Sequence, residues 1–291
     1  MSQSLNALQP TPVYDAFWRF AAERQAIFER RKHSPLGPWT TDPVLRDFKF
    51  TNVYRVTDRT TQYLVRNVIY NNEVKPDSGD AIFRILLFKI FNKIETWEFL
   101  TRTFGTINIR DFSAEHFGRA LSDLMSRGVS IYSGAYIMPT GGRGFRFDRK
   151  HEAHLAILNQ MLEAQLPARA AEAKSLEKNY LLLRSFPLMG EFLGYQYAID
   201  INYSEATDFS ESDFVVAGPG ARSGIRKCFG NAANHSFSEV ISMVTEAQAE
   251  EFEKRGLAFP FLGGRMLQQI DRKSTRLNSS HTDISRMPSS A

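Results

Sequence analysis

The sequence predicts a mainly α-helical fold with one small irregular strand-and-loop insert near residues 131–147. Three observations predict it. Apolar residues recur every three to four positions along most of the chain, the period of a helix that buries one face. Helix-start signals, a Ser, Thr or Asp just ahead of a proline or of the first apolar turn, precede several of these runs. The 23 phenylalanines among 291 residues are many for this length and suit a core of aromatic wedges between helices.

In order along the chain, residues 13–32 read as the first helix, with Tyr14, Phe17, Trp18, Phe20, Ala21, Ile27 and Phe28 on its apolar face. Pro35, Gly37 and Pro38 form a loop, and Thr41-Asp42-Pro43 starts a short helix over 44–48. Residues 58–70 read as one helix with Tyr63, Leu64, Val68 and Ile69 inward. Residues 80–91 are unusually apolar, which places that helix at the centre, and 96–103 follow around Trp97. Ser113 caps a helix that runs to Met125 and ends at Arg127-Gly128. Residues 131–138, small, aromatic and β-branched, read as strand, and a glycine-rich loop, PTGGRGFRF, follows at 139–147. Helices are expected over 149–163, 169–184 and 237–256, the last capped by Ser236 or Ser238, with a final helix beginning near Arg265. Neither repeats nor long low-complexity linkers interrupt this pattern, so residues 14–270 are expected to form one domain behind a disordered stretch at 1–13.

Hydrophobic residues make up 43% and charged residues 23%, a globular balance. The single cysteine, Cys228, excludes an internal disulfide and a zinc site built from several cysteines, and it fits a reducing compartment. His33, His116, His151, His154 and His235 show no metal-ligand grouping, so no metal and no cofactor is expected. The longest apolar run, 81–94, is interrupted by Arg84, Lys89, Asn92 and Lys93, which argues against a membrane span. The N-terminus has neither the basic start nor the apolar stretch of a secretory signal, and the expectation is an intracellular protein. Residues 271–291, DRKSTRLNSSHTDISRMPSSA, have no packing period and read as one frame of a common sequencing adapter. They contribute +2 of the formal net charge of +4, so any argument for nucleic-acid binding must rest on local patches.

Four motifs carry candidate chemistry. In SFPLMGEFLGYQ (185–196), a leucine-rich helix end, a turn at Gly190 and a new helix make a helix-hairpin-helix, whose backbone N–H groups can face a DNA phosphate; an ordinary helical connection has the same sequence marks. In DFVVAGPGARSGIRK (213–227), Gly218 and Gly220 open a helix that carries Arg222, Arg226 and Lys227, a set suited to phosphate. It lacks the Gly-Lys-Ser/Thr ending of a nucleotide-triphosphate loop, so no kinase is visible in this chain. Asp213, which follows Gly190 at the spacing of the catalytic aspartate in helix-hairpin-helix glycosylases, is the candidate catalytic carboxylate, against the commoner role of a helix cap; Asp208 and Asp200 compete with it. The loop 141–147 offers two arginines and two phenylalanines to a nucleic-acid surface or to solvent. In FTNVYRVTDRTTQ (50–62), the polar groups of Asn52, Arg55, Asp58, Arg59 and Gln62 gather around a helix start and could line a pocket that reads a base edge, or could simply cap and pair with one another.

Ordered blocks are more specific than any one of these motifs. FWRFAAERQAIFERR, GPWTTDPVL, FTNVYRVTDRTTQYL, FNKIETWEFL, FPLMGEFLGYQYAIDINYS, DFVVAGPGARSGI and LAFPFLGGRMLQQID, taken together, resemble the helical domain associated with hydroxymethyl-deoxyuridine DNA kinases, over most of residues 14–270. The resemblance implies a DNA base hypermodification protein with a glycosylase-like helical fold, acting on modified pyrimidines that are flipped out of DNA. It also implies DNA and a separate P-loop kinase or group transferase as partners. The alternative is a non-catalytic helical module that positions such an enzyme. The family pattern continues beyond residue 270 with an acidic, cysteine-bearing helix, so the domain is expected to be cut short where the adapter-like tail begins.

Overall fold

The computed structural model describes residues 5–34, 36–70, 77–134, 138–140, 147 and 149–261. In chain order its helices are α1 (Pro12–His33), α2 (Pro43–Asp47), α3 (Arg59–Tyr63), which runs into a π-helical turn (Leu64–Ile69), α4 (Ser78–Phe91), α5 (Ile94–Phe104), α6 (Ala114–Ser126), α7 (Lys150–Glu163), α8 (Leu166–Ala171), α9 (Leu176–Arg184), α10 (Glu191–Ile201), α11 (Pro219–Cys228), α12 (Phe237–Glu246) and α13 (Gln248–Lys254). The mainly helical fold expected from the sequence is what forms.

Local chemistry sets most helix starts. Asp42 accepts the N–H groups of Val44 and Leu45 at 2.8 and 3.1 Å, with Pro43 in the first turn of α2. Ser113 caps α6 through His116 N–H at 3.3 Å. For α12 the cap is Ser236, in a reciprocal box: its hydroxyl accepts Glu239 N–H at 3.2 Å while its own N–H donates to the Glu239 carboxylate at 2.8 Å. Ser238 instead donates to Val215 C=O. At the far end of α4, Asn92 takes the left-handed conformation (φ 48°) that closes the helix.

The chain divides into two compact units. Unit 1 is Met1–Arg59 with Phe214–Ala291, and unit 2 is Thr60–Asp213. In unit 1, α1 packs against α11 and α13. Trp18 meets Tyr14 and Phe252 edge-on at 5.9 and 4.8 Å, and Phe252 stacks on Phe259 at 4.3 Å, a core of aromatic wedges as the phenylalanine count suggested. In unit 2, α4 is the centre: every residue from Ala81 to Phe91 is buried, against α7, α8, α10 and the π-helical turn.

Several expectations need correction. No strand forms among the described residues of 131–147. Ile131 C=O accepts the Thr96 hydroxyl at 2.8 Å and Ser133 N–H donates to Phe91 C=O at 3.0 Å, so this stretch spends its backbone groups on helix ends and side chains instead of a ladder. The helix expected over 58–70 changes register after Tyr63, where Tyr70 N–H reaches back to Val65 C=O. The helix expected over 169–184 is two, because Ser175 turns out of the helix and caps a new one through Lys178 N–H. The helix over 237–256 breaks at Ala247. The leader expected to be disordered is, from residue 5, held in place: Leu8 is buried, and Thr11 N–H and Gly230 N–H bond Cys228 C=O and Gln9 C=O. Residues 141–146, the helix expected from Arg265 and the tail 271–291 lie outside the described residues. Ser236→Ala removes one half of the α12 box; chemical denaturation should show a loss of about 1 kcal/mol, and an unchanged midpoint would show that the box adds nothing.

Candidate nucleic-acid interface

Five of the six residues expected to meet phosphate lie in unit 1, on or before α11. Gly218 is the N-cap, extended at φ −72° and ψ 171°, with Pro219 next and no side chain capping the helix start. The first-turn N–H groups, Gly220 among them, therefore have no intrachain acceptor from a cap. Arg222 lies one turn on, half-buried, its Nε donating to Ala217 C=O at 2.9 Å. Arg226, a further turn along the same face, is exposed. Both guanidinium groups lie over the ring of Phe237, at 5.9 and 4.9 Å. Arg226 has no carboxylate partner among the described residues. Lys227 follows in the last turn, off the Arg222–Arg226 line. The structure thus turns the expected three-cation cluster into a two-arginine stripe on an aromatic ring.

The sixth, Gly190, lies in unit 2, as does Asp213. A helical hairpin exists, α9 and α10 joined by residues 185–190, but its chemistry differs from the expectation. Gly190 is the N-cap of α10 at φ −66°, with open space where a Cβ would stand, so the turn does not need glycine there. The left-handed position is taken by Leu188 at φ 63°. Glu191 occupies the first turn, 3.8 Å from Arg184, and puts negative charge where a phosphate would have to sit. Asp213 is exposed on a turn, its N–H bonded to Ser210 C=O.

Of the residues expected to line a base pocket, Asn52, Arg55, Asp58 and Arg59 belong to unit 1 and Gln62 to unit 2. Asn52 and Asp58 meet, in a closed knot: Asn52 N–H donates to the Asp58 carboxylate at 2.8 Å, and the Asn52 amide donates to Thr57 C=O at 3.0 Å. Arg24, fully buried, braces the knot by donating to Thr51 C=O and Asn52 C=O at 2.9 Å each. Arg55 is buried beside them, whereas Arg59 is exposed. Burial pushes the Asp58 carboxyl up to about 6, against the opposing pull of the Asn52 N–H and of Arg24 and Arg55. The segment from Trp39 to Asp42 packs on α1: the Thr40 hydroxyl donates to Glu23, and Arg30 donates to Trp39 C=O. Beside them a groove of about 1090 Å³ runs over Phe20, Arg30, Trp39 and Leu257, with Arg19 and Arg30 balanced by Glu23 and Asp42.

A second polar cluster, inside unit 2, went unread in the sequence. Lys89 Nζ stands 3.1 Å from the Asp200 carboxylate, and the two side chains are 4% and 0% exposed. Lys89 also donates to Asn92 Oδ1 at 2.8 Å. Tyr197, 1% exposed, has Asp200 and Tyr132 as its polar neighbours. Tyr132 in turn bonds His154 Nδ1 at 2.9 Å, and His154 Nε2 bonds Pro139 C=O at 3.1 Å. A carbonyl only accepts, so Nε2 carries the proton and Nδ1 accepts from the phenol; burial pulls this imidazole down to about 4 and keeps it neutral. The available signal was the interruption of the apolar run 81–94 by Lys89, and Asp200 among the competing carboxylates. Among the described residues no group of three or more His, Cys, Asp or Glu side chains could hold a metal ion, and no helix is long and apolar enough to cross a membrane.

Asp58 makes a pH prediction. Its folded pKa lies above its ordinary 3.8, so the folded state binds the proton more tightly, and this group's contribution to stability falls as pH rises from about 4 through about 6. Asp58→Asn, which keeps an acceptor for the Asn52 N–H, should flatten the melting-temperature profile across that window relative to the parent protein; parallel profiles would refute the assignment.

The family described as "5-hmdU DNA kinase, helical domain" matches residues 11–275. A "5-hmdU DNA kinase" of Bacillus phage SP10 is 26% identical over 274 residues, which cover 87% of this chain and 42% of that protein, so the chain corresponds to less than half of its relative's length. No solved structure matches. With the family's pattern matched across nearly the whole described region, the chain belongs to the 5-hmdU DNA kinase helical-domain family.

Proposed function

We propose that this chain is the DNA-contacting module of a base-hypermodification system. It grips the phosphate backbone through α11 and accepts a modified pyrimidine, of the hydroxymethyluracil or thymine-derivative class, turned out of the base stack. The observation that carries this reading is the α11 face: a helix start with no side-chain cap, followed by Arg222 and Arg226 aligned over Phe237. Backbone N–H groups and the helix dipole favour an anion at that start, and guanidinium groups add bidentate phosphate contacts. The name of the phage relative supports hydroxymethyluracil as the base concerned.

A second reading is favoured by a specific fact. The chain has no Gly-Lys-Ser/Thr phosphate loop, and it matches only 42% of a relative named as a kinase. Under this reading it holds DNA for a separate P-loop kinase or group transferase and does no chemistry itself.

Two experiments separate these possibilities. Duplexes carrying thymine or hydroxymethyluracil should bind the protein with a steep salt dependence, and Arg222→Glu with Arg226→Glu should lower affinity for both and reduce the salt slope by about 2. Absence of binding to either duplex would sink the DNA model. Asp213→Asn should leave DNA binding intact; loss of product formation, followed by mass spectrometry of digested DNA, would make this exposed carboxylate part of the chemistry, and full retention would place the chemistry elsewhere.

A further inference from the structure

We propose that the buried cluster of unit 2 is the base-accepting site, and that it selects the imide edge of a uracil-type ring: Asp200 accepts the ring N–H, Tyr197 Oη donates to a flanking ring carbonyl, and Lys89, 3.1 Å from Asp200, holds that carboxylate in place. This deepens the reading above and rests on it for the identity of the ligand.

Three observations point there. First, the cluster is costly as pure architecture. A lysine and an aspartate at 4% and 0% exposure lie within the most apolar helix layer of the protein, and a buried ion pair contributes little or nothing to stability beyond what packed aliphatic side chains of the same volume would give. Second, the Tyr197 hydroxyl is fully buried yet has no hydrogen-bond partner, although Asp200 and Tyr132 lie nearby. A buried donor left without an acceptor is the exception in folded proteins and marks a position where another polar atom belongs. Third, the cluster reaches the surface at Tyr132 and Ser133, which are only half-buried. That segment is fastened by Thr96 to Ile131 C=O, by Asn92 to the Ser133 hydroxyl and by Ser133 N–H to Phe91 C=O, instead of by a helix or a sheet.

The donor and acceptor pattern then fixes the ligand class. Uracil, thymine and 5-hydroxymethyluracil present carbonyl, N–H, carbonyl along one edge, and a carboxylate beside a phenol complements the N–H and one carbonyl. Cytosine has a bare ring nitrogen at the middle position, whose lone pair would face an acceptor oxygen with no hydrogen between them. Sites whose buried groups must be hydrogen-bonded reject the analogue that leaves them unpaired far more strongly than apolar pockets reject a change of size.

The test uses the full 291-residue chain and free nucleosides, so that it does not depend on phosphate contacts. 5-Hydroxymethyl-2′-deoxyuridine, thymidine and 2′-deoxycytidine are titrated by calorimetry against the parent protein, Tyr197→Phe and Asp200→Asn, with a thermal melt for each. The parent should bind the two uracil-type nucleosides at least about tenfold more tightly than deoxycytidine. Tyr197→Phe should melt at or above the parent temperature, since its hydroxyl loses no internal hydrogen bond, and should bind the uracil-type nucleosides at least about tenfold more weakly. Asp200→Asn should lose the preference against deoxycytidine. A Tyr197→Phe protein that binds nucleosides like the parent overturns the proposal, as does a parent that binds no nucleoside or prefers deoxycytidine; should Asp200→Asn fail to fold, Tyr197→Phe alone decides. Loss of duplex binding in the Arg222 and Arg226 variants with nucleoside binding intact would leave this site standing, while a parent that binds nucleosides but no duplex would sink only the DNA-gripping role of α11.

Discussion

A cation removed from water must find oxygen, and each unit is organised around that requirement. In unit 1 the Arg24 guanidinium, with no exposed surface, reaches Thr51 C=O and Asn52 C=O from the middle of α1 and lies near the rings of Phe20 and Phe50. In unit 2 Arg84 reaches Ile107 C=O at 2.6 Å, and Lys89 reaches Asn92 and Asp200. An unpaired charge in such a place would cost several kcal/mol. Each of these cations therefore pins a segment that has no ladder of its own: the approach to Asp58, the connection after α5, and the region around Asn92 from which Ser133 hangs.

Placement of polar groups divides along the same line. Asn52 and Asp58 turn towards each other and complete the fastening that Arg24 begins, which is why a constellation that looks like a base-reading edge behaves as a knot. Arg222 and Arg226 do the opposite. On α11 they lie over the Phe237 ring, Arg226 exposed and Arg222 half-buried with its Nε on Ala217 C=O. The inward charges brace the fold, whereas the α11 arginines sit against an aromatic ring nearer the surface.

The helices were legible in the sequence wherever a cap, a period and a stop signal agreed. Asp42-Pro43, Ser113 and Gly128 are such places, and their helices begin and end as read. Legibility failed where tertiary packing outvoted local preference. Nothing in EAKSLEK announces that Ser175 will cap a new helix, because a lysine-serine pair sits as comfortably on an exposed helix face. Residues 131–138 have the composition of a strand, yet the described part of this segment is held by α4 and α5. The ion pair between Lys89 and Asp200 is invisible for a stronger reason: each residue reads as an interruption of its own helix, and only packing of α4 against α10 makes the two interruptions cancel. Family membership was legible throughout, since ordered blocks survive errors in any single element.

The order of the two units along the chain has a consequence for how the protein is made. Unit 2 is a continuous stretch, Thr60–Asp213, inserted between the two halves of unit 1. A ribosome delivers α1 long before α11 and α13, so Trp18 and Tyr14 emerge without Phe252 and Phe229 to cover them. The inserted unit has all of its own chain in hand by Asp213 and can close first, bringing its two ends into place as it does so. Unit 1 then assembles last, by intramolecular capture of a late helical segment on an early one. The aromatic face of α1 therefore waits for partners more than 200 residues downstream, whereas α4 finds its packing partners within Thr60–Asp213.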